Sequence, residues 1–474
     1  MNSDLFWETK RPFEEKYGVR FVGHGEPAPS NSDDVREQCL ANLRIAADVL
    51  GNDQDLLDYL AERLVAIAET VPQPSQATKL LGRNSESNPA TDPAITDFRS
   101  YPAELFAKPG TKVANRKAFG TFGAWVNAYT AKKYGHPLVL ACSADLAEST
   151  NIAGFGHPWG DFPGYGWYDR DNNPEGVLLP QEITEFANAG ITAALATVNF
   201  AENPFDEFRG FYGACSTYGS FSYLKYGEMR LFSQLAQDCE TRVGKVIWVA
   251  GHSGPETAED ARTHFGIFSP TVTQLFPDGQ VINLYPWEHN EVPVMLGAAL
   301  ATDVPLIALH LTRPPIEIPD REALGMDSHF EAARGAYIIR DYDPESPRMG
   351  TIIVQGTSTT ANIVTILPEL AARQLNIKVV AAVSPELFRR QDRKWQDRVL
   401  SSEDWAVSTV VSNMSRRAMS DWLFSRKSAE YAMTPDFDDR WRTGGSVEEV
   451  IREAHLSPEY LLEGIERFAR DWNG

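Results

Sequence analysis

The chain is poor in cysteine. It has four in 474 residues, Cys39, Cys142, Cys215 and Cys239, and no Cys-x-x-Cys pair. That argues against a disulfide framework and against a cysteine zinc site, and it fits a reducing, cytoplasmic setting. Positive charge is also short: Lys and Arg total 44 against 65 Asp and Glu, a formal net charge of −21. A surface this acidic repels phosphate backbones and anionic headgroups, so neither nucleic acid nor a membrane surface is expected as a partner. No apolar run reaches the roughly 18 residues that a membrane span needs. The opening Met-Asn-Ser-Asp-Leu-Phe-Trp-Glu lacks the basic start and apolar core of a signal peptide, so none is expected. Internal repeats and low-complexity tracts are absent.

What is present is ordinary globular composition, 43% hydrophobic and 23% charged, which excludes long-range disorder. At roughly 150 residues per domain, the length suggests about three domains. Residues 1–108 read as a helical, polar segment. Apolar positions at near-helical spacing mark helices over 33–50, opened by Asp33 or Asp34, and over 53–71. Pro72-Gln73-Pro74 ends the second, and 82–98 reads as a linker. Residues 109–330 alternate. Asn115 is placed to cap a helix over 116–133, and short apolar runs of the kind buried in parallel sheets occupy 137–142, 245–250, 280–284 and 304–310. Helices are expected at 181–197 and 288–301, and a Gly-, Pro- and aromatic-rich loop at 150–178. The same grammar restarts over 331–474. Strands are expected at 350–355, 377–382 and 405–411, and helices at 360–374, 385–400, 413–427, 446–454 and 456–471. The fold class is therefore α/β: two doubly wound α/β domains, 109–330 and the smaller 331–474, preceded by a helical segment.

Polar residues concentrate just after the expected strands, where ligand sites of open α/β sheets lie. Strand 245–250 runs into Gly251-His252-Ser253, with Asp260, Arg262 and His264 following. Such a window serves a polar substrate, is a plain solvated loop, or, less aptly, binds a metal through His252, Asp260 and His264, since loop spacing fixes no coordination geometry. Cys142-Ser143-Ala144-Asp145 and Ser149 follow another strand, where the local alternative is a turn and a cap. Leu311-Thr312-Arg313 follows a third. Arg116-Lys117 opens the first helix of this region. Two cations there oppose the helix dipole, but the same position suits a phosphate.

These elements occur in the order found in transketolases: Arg116-Lys117-Ala118, Ser-Ala-Asp-Leu-Ala-x-Ser at 143–149, His-Ser-(x)6-Asp-x-x-Thr-His over 252–264, and Leu-Thr-Arg at 311–313. Residues 351–357, Thr-Ile-Ile-Val-Gln-Gly-Thr, continue the match. Over roughly 109–474 the chain resembles the second half of a transketolase, its pyrimidine-binding and C-terminal domains, with residues 1–108 resembling the linker to the first half. The resemblance implies thiamine diphosphate as cofactor. The family activates this cofactor with a Glu that begins a helix and is followed by Phe. Glu185-Phe186 aligns without a gap and with Ile191 in register, so Glu185 is preferred over Glu182. The aromatic platform under the pyrimidine corresponds to Phe221, with Tyr218 beside it. Asp145 is implied in shaping the thiazolium pocket. Arg116, Ser149, His252 and Arg313 are implied to hold a sugar phosphate, Asp260 to bind a donor hydroxyl, and His264 the donor's terminal hydroxyl or carbonyl oxygen. The implied catalytic residues are Glu185, His252 and His264.

The departures are informative. Tyr218 stands where the family has Phe, and Asp260-Ala261-Arg262-Thr263-His264 replaces Asp-Gly-Pro-Thr-His, adding a positive charge at the rim. The Gly-Asp-Gly…Asn pattern, which holds the diphosphate and its divalent metal in the family, is missing. Gly160-Asp161-Phe162 is the nearest fragment. No metal ligands are therefore expected on this chain. The resemblance implies a two-component enzyme with the diphosphate half, and its Mg2+ or Ca2+, on a separate subunit. The assembly is then a heterotetramer that homodimerises through the pyrimidine-binding and C-terminal domains. The rival readings are a 2-oxoacid dehydrogenase β subunit, which shares both domains, and a non-catalytic scaffold or regulator. Arg116 and Arg313 favour phosphosugar substrates over 2-oxoacids.

Overall fold

The computed structural model describes residues 2–70, 89–144, 146–160, 164–251, 253–259 and 261–472. Two compact units divide it, Met1–Gln76 and Ala77–Gly474.

Among the described residues the smaller unit holds three helices, α1 (Asp4–Tyr17), α2 (Ser32–Asn52) and α3 (Gln54–Thr70). Helix α1 has no counterpart in the periodicity reading. Ser3 caps it by accepting from the Phe6 N–H, and Gly18, at φ +67°, ends it. The returning chain packs onto α1: Glu14 accepts from the Phe21 N–H at 2.7 Å, and Trp7 stacks on the His24 ring with centroids 4.9 Å apart. Asn31, not Asp33 or Asp34, caps α2; the two acids sit in its first turn, where they favour the positive helix end. Helix α3 buries none of its residues, leaving Leu60, Leu64, Val65 and Ile67 exposed.

The larger unit is built on two main sheets. In chain order its strands are β1 (Lys112–Val113), β2 (Val139–Ser143), β3 (Leu178–Leu179), β4 (Tyr212–Tyr218), β5 (Val246–Gly251), β6 (Val281–Leu284), β7 (Leu306–His310), β8 (Ile316–Glu317), β9 (Ala336–Arg340), β10 (Thr351–Gln355), β11 (Lys378–Ala382) and β12 (Ser408–Ser412). The larger sheet is wholly parallel in the order β3-β2-β4-β5-β7-β6. The smaller has the order β12-β10-β11-β9, with only β9 antiparallel. Strands β1 and β8 form a separate antiparallel pair. The expected apolar strands all appear within a few residues of their expected limits, and burial on both faces explains their continuous apolarity. Residues 89–105 belong to the larger unit, where Ile95, Tyr101 and Leu105 join its core.

The structure differs from the sequence reading at particular places. The central strand β4 and the edge strand β9 were not expected as strands. Helix 181–197 begins at Glu185. The expected helix 413–427 is a 3-10 turn, Arg416–Trp422, followed by the short helix Arg426–Glu430. Residues 385–400 break into Pro385–Arg389 and Arg393–Val399. Asn115 is not the cap of its helix, Asn115–Tyr134. Its amide instead donates to the Pro286 carbonyl at 2.8 Å and accepts from the Thr312 N–H at 2.9 Å. Part of the expected linker, 82–88, lies outside the described residues.

The sheets are locked together by polar groups. The Tyr285 N–H donates to the Val383 carbonyl at 2.8 Å, and Glu386 accepts from the Asn283 N–H at 3.0 Å. Arg321, buried, bridges Glu288 and Glu291, each at 2.9 Å, and Tyr337 on β9 donates to Glu291. Among the described residues no helix is long and apolar enough to cross a membrane.

Candidate active site

The carboxyl ends of β2, β4, β5 and β7 lie along one edge of the parallel sheet, and the loops leaving them converge there. The loop after β2 is pinned by hydroxyls: Thr150 Oγ1 lies 2.7 Å from Ser216 Oγ, which is 2.8 Å from Ser143 Oγ. This fixes Ser149. Its carbonyl accepts from Arg116 Nη1 at 2.5 Å, and its hydroxyl lies 3.1 Å from the Tyr218 hydroxyl at the end of β4. Tyr218 in turn faces His264, with ring centroids 4.7 Å apart. Phe221 stands edge-on to His264 at 5.7 Å and lies 6.5 Å from Tyr218 in a near-parallel arrangement. Arg116, Ser149, Tyr218, His264 and Phe221 therefore form one contiguous set from three loops and a helix start.

Glu185 begins the helix Glu185–Thr197 and is 7% exposed. Its Oε1 accepts from Thr217 Oγ1, on β4, at 3.0 Å. Thr217 precedes Tyr218, so one strand end presents both the partner of the acid and the first ring of the aromatic group. Glu182 lies before the helix and is exposed. Glu185 is thus shielded from bulk water beside the end of β4, whereas Glu182 faces solvent.

Arg313 follows β7 and is half-buried. The residues before the two arginines are joined, since Asn115 binds the Thr312 N–H, and Thr312 Oγ1 and Asn115 Nδ2 both donate to Thr357 Oγ1, at 2.8 and 3.2 Å. Arg116 and Arg313 thus leave adjacent backbone. Arg262 is exposed. Asp145, His252, Asp260 and the fragment at 161–162 lie outside the described residues, as does any arrangement involving them. The aromatic set, Ser149, Arg116 and Glu185 are thus placed at one sheet edge. Thr217 and Asn115 were missed as site residues, because only distant partners give either a role.

No protein-family model matches the chain. Transketolase 1 of Pasteurella multocida is 23% identical over 407 residues, covering 80% of this chain and 54% of its own length. Transketolase 2 of Escherichia coli is 25% identical over 323 residues, covering 67% and 41%. The solved transketolase from Campylobacter jejuni matches 97% of this chain and 58% of its own, with a TM-score of 0.61 and 18% identity. That from Leishmania mexicana matches 99% and 58%, with a TM-score of 0.61 and 16% identity. The chain spans about half the length of the curated relatives it matches. In fold and along most of its sequence, this chain is a partial transketolase-like protein.

Proposed function

We propose that this chain is the pyrimidine-binding half of a thiamine diphosphate-dependent transketolase, completed by a separate chain that holds the diphosphate and its Mg2+ or Ca2+. The reaction moves a two-carbon ketol unit from a ketose phosphate to an aldose acceptor. The observation that carries this reading is the buried carboxyl of Glu185 at the same strand end as Tyr218, Phe221 and His264.

The residues present fit the aminopyrimidine end of the cofactor. Glu185 has Oε1 engaged by Thr217, leaving Oε2 to share a proton with a ring nitrogen, and the faces of Phe221 and Tyr218 suit a planar ring. The diphosphate end is assigned to a second subunit because this sequence carries no Gly-Asp-Gly…Asn pattern, and the assembly is a heterotetramer that homodimerises through both α/β domains. When bound, thiamine diphosphate supplies the electron sink for breaking a carbon–carbon bond beside a carbonyl. Glu185 holds the activating proton, and its burial keeps water from competing for it. Arg116 and Arg313, with Ser149 and His252, bind the donor phosphate; two guanidinia match a dianion. Asp260 reads a donor hydroxyl, His264 binds the terminal hydroxyl or carbonyl oxygen, and Asp145 shapes the thiazolium side. Exposed Arg262 extends the cationic rim toward other anions, such as a sulfonate.

Coexpression with a diphosphate-binding chain tests this. Glu185→Gln is expected to lower ketol transfer by at least ~100-fold, while Glu182→Gln stays near wild type. Full activity in Glu185→Gln refutes the assignment. Absence of cofactor binding in every pairing favours the scaffold reading, and turnover of 2-oxoacids in place of ketose phosphates favours the dehydrogenase.

A further inference from the structure

The smaller sheet reverses its winding between β10 and β12, because β11 lies on one side of β10 and β12 on the other. At such a switch point the strand carboxyl ends leave a crevice that ordinarily takes a ligand. Here the crevice is filled from within the molecule. Glu256, on the segment after β5, is wholly buried. Its carboxylate accepts from the Ser358 N–H at 3.3 Å and from the Ser358 hydroxyl, both in the first turn of the helix Thr357–Ala372. It also accepts from Asn413 Nδ2, just beyond β12, at 3.2 Å. All these donors are neutral, and burial pushes the Glu256 carboxyl up from its ordinary value despite them. Gly254 and Gly356 permit the approach, with φ of +94° and +100°. A Cβ on Gly254 would lie 2.1 Å from Glu256 Oε2, and one on Gly356 2.0 Å from Asn413 Oδ1.

The segment is tied down elsewhere too. The Ser253 N–H donates to the Leu311 carbonyl at 2.7 Å, and the Gly254 N–H to the Gly266 carbonyl at 2.9 Å. Toward its far end, the Ser415 N–H donates to the Ile267 carbonyl at 2.8 Å. Phe265 and Ile267 pack on Val450, and the Trp441 ring stands 4.8 Å from Phe268. Between these anchors lies His264, against Tyr218 and Phe221.

We propose that Glu256 is a positioning residue: its carboxylate occupies the crevice of the smaller sheet as an internal ligand, and through the neighbouring Gly254 N–H, which donates to the Gly266 carbonyl, it holds His264 where the donor binds. The proposal deepens the ketol-transfer reading and rests on it for the role of His264. The smaller sheet then acts as a clamp on the substrate loop, with no group of its own touching substrate.

Glu256→Ala, Glu256→Gln and Ser358→Ala are compared with wild type. Hydrogen exchange is followed in the full-length chain. Ketol-transfer kinetics and titration with thiamine diphosphate are followed in the complex with the diphosphate-binding chain. Glu256→Ala is expected to speed amide exchange across 261–268 by about tenfold or more while β5 is unchanged. It raises KM for the ketose phosphate by about tenfold and leaves kcat and cofactor affinity within about threefold. Glu256→Gln, which keeps an acceptor toward Ser358, returns KM to within about threefold of wild type. Ser358→Ala falls between and carries the test if Glu256→Ala does not fold. Unchanged exchange and KM in Glu256→Ala and Ser358→Ala overturn the proposal, as does a parallel loss of kcat, cofactor affinity and thermal stability. If the wild-type complex transfers no ketol unit, the functional reading fails by itself, and the exchange data still decide whether Glu256 holds the loop.

Discussion

Asp92 joins the segment before the first α/β region to the far end of the helix whose near end carries Arg116. It is 5% exposed. Its Oδ2 accepts from Lys133 Nζ at 2.8 Å, the Tyr129 hydroxyl at 2.8 Å and the Tyr134 hydroxyl at 2.7 Å, while Oδ1 accepts from the Ala94 N–H at 3.0 Å. Burial alone would raise this carboxyl, but Lys133, Tyr134, the Ala94 N–H and Tyr129 outweigh it and hold it down to about 2 from an ordinary 3.8. A drop of that size corresponds to about 2.5 kcal/mol of folding stability. Because the folded-state value is the lower one, the contribution is fully present above pH ~4 and disappears as pH falls toward 2. Asp92→Asn removes the charge and sets an amide N–H2 against either the three-donor cluster or the Ala94 N–H, which costs roughly another 1 kcal/mol. The expected loss is therefore about 3.5 kcal/mol at pH 7. Denaturant unfolding followed by tryptophan fluorescence measures it. The difference from wild type should be flat between pH 5 and 8 and narrow below pH 4. With Lys133→Met, the double variant should fall short of additivity by about 1 kcal/mol or more. Asp92→Asn within about 0.5 kcal/mol of wild type at pH 7, or a difference that widens on acidification, refutes the reasoning.

Arg321→Met leaves Glu288 and Glu291 buried without their shared cation. Burial already raises Glu291 to about 7, and the variant should lose about 3–5 kcal/mol by denaturant unfolding; a neutral effect would show that the cluster is not a structural bond between the sheets. Arg116→Met and Arg313→Met, singly, should each raise KM for a phosphorylated donor by roughly 10- to 100-fold, the worth of a charge-assisted contact, with little change for an unphosphorylated one. Equal effects on both donors would remove the phosphate from the assignment.

Legibility followed the range of the interactions involved. Strand β5 was readable because Val246, Ile247, Trp248 and Val249 form an uninterrupted apolar run. Strand β4, equally buried and central, was not, because Gly213, Ala214, Cys215, Ser216 and Thr217 are small or polar and leave no hydrophobic signature. The helix expected over 413–427 failed for a related reason. Met419 and Trp422, buried there, are three apart, a spacing that a 3-10 turn satisfies as well as a helix. At the candidate site, Glu185 was singled out because the residues after it match a family pattern. Thr217, which accounts for its hydrogen bond, is 32 residues away. Asn115 was misread as a cap because its residue type suits that local task, whereas its partners, Pro286 and Thr312, are 171 and 197 residues distant. Local chemistry is written in neighbours; pairings of that span appear only once the sheet is closed.

The knot of Asn115, Thr312 and Thr357 has a mechanical consequence. Two jaws of a caliper, Arg116 and Arg313, are mounted on the first two of these residues, and the third belongs to the helix that follows β10. Displacing that helix from the larger sheet would have to stretch both hydrogen bonds to the Thr357 hydroxyl, so the backbone that carries the two arginines is buttressed from the smaller sheet.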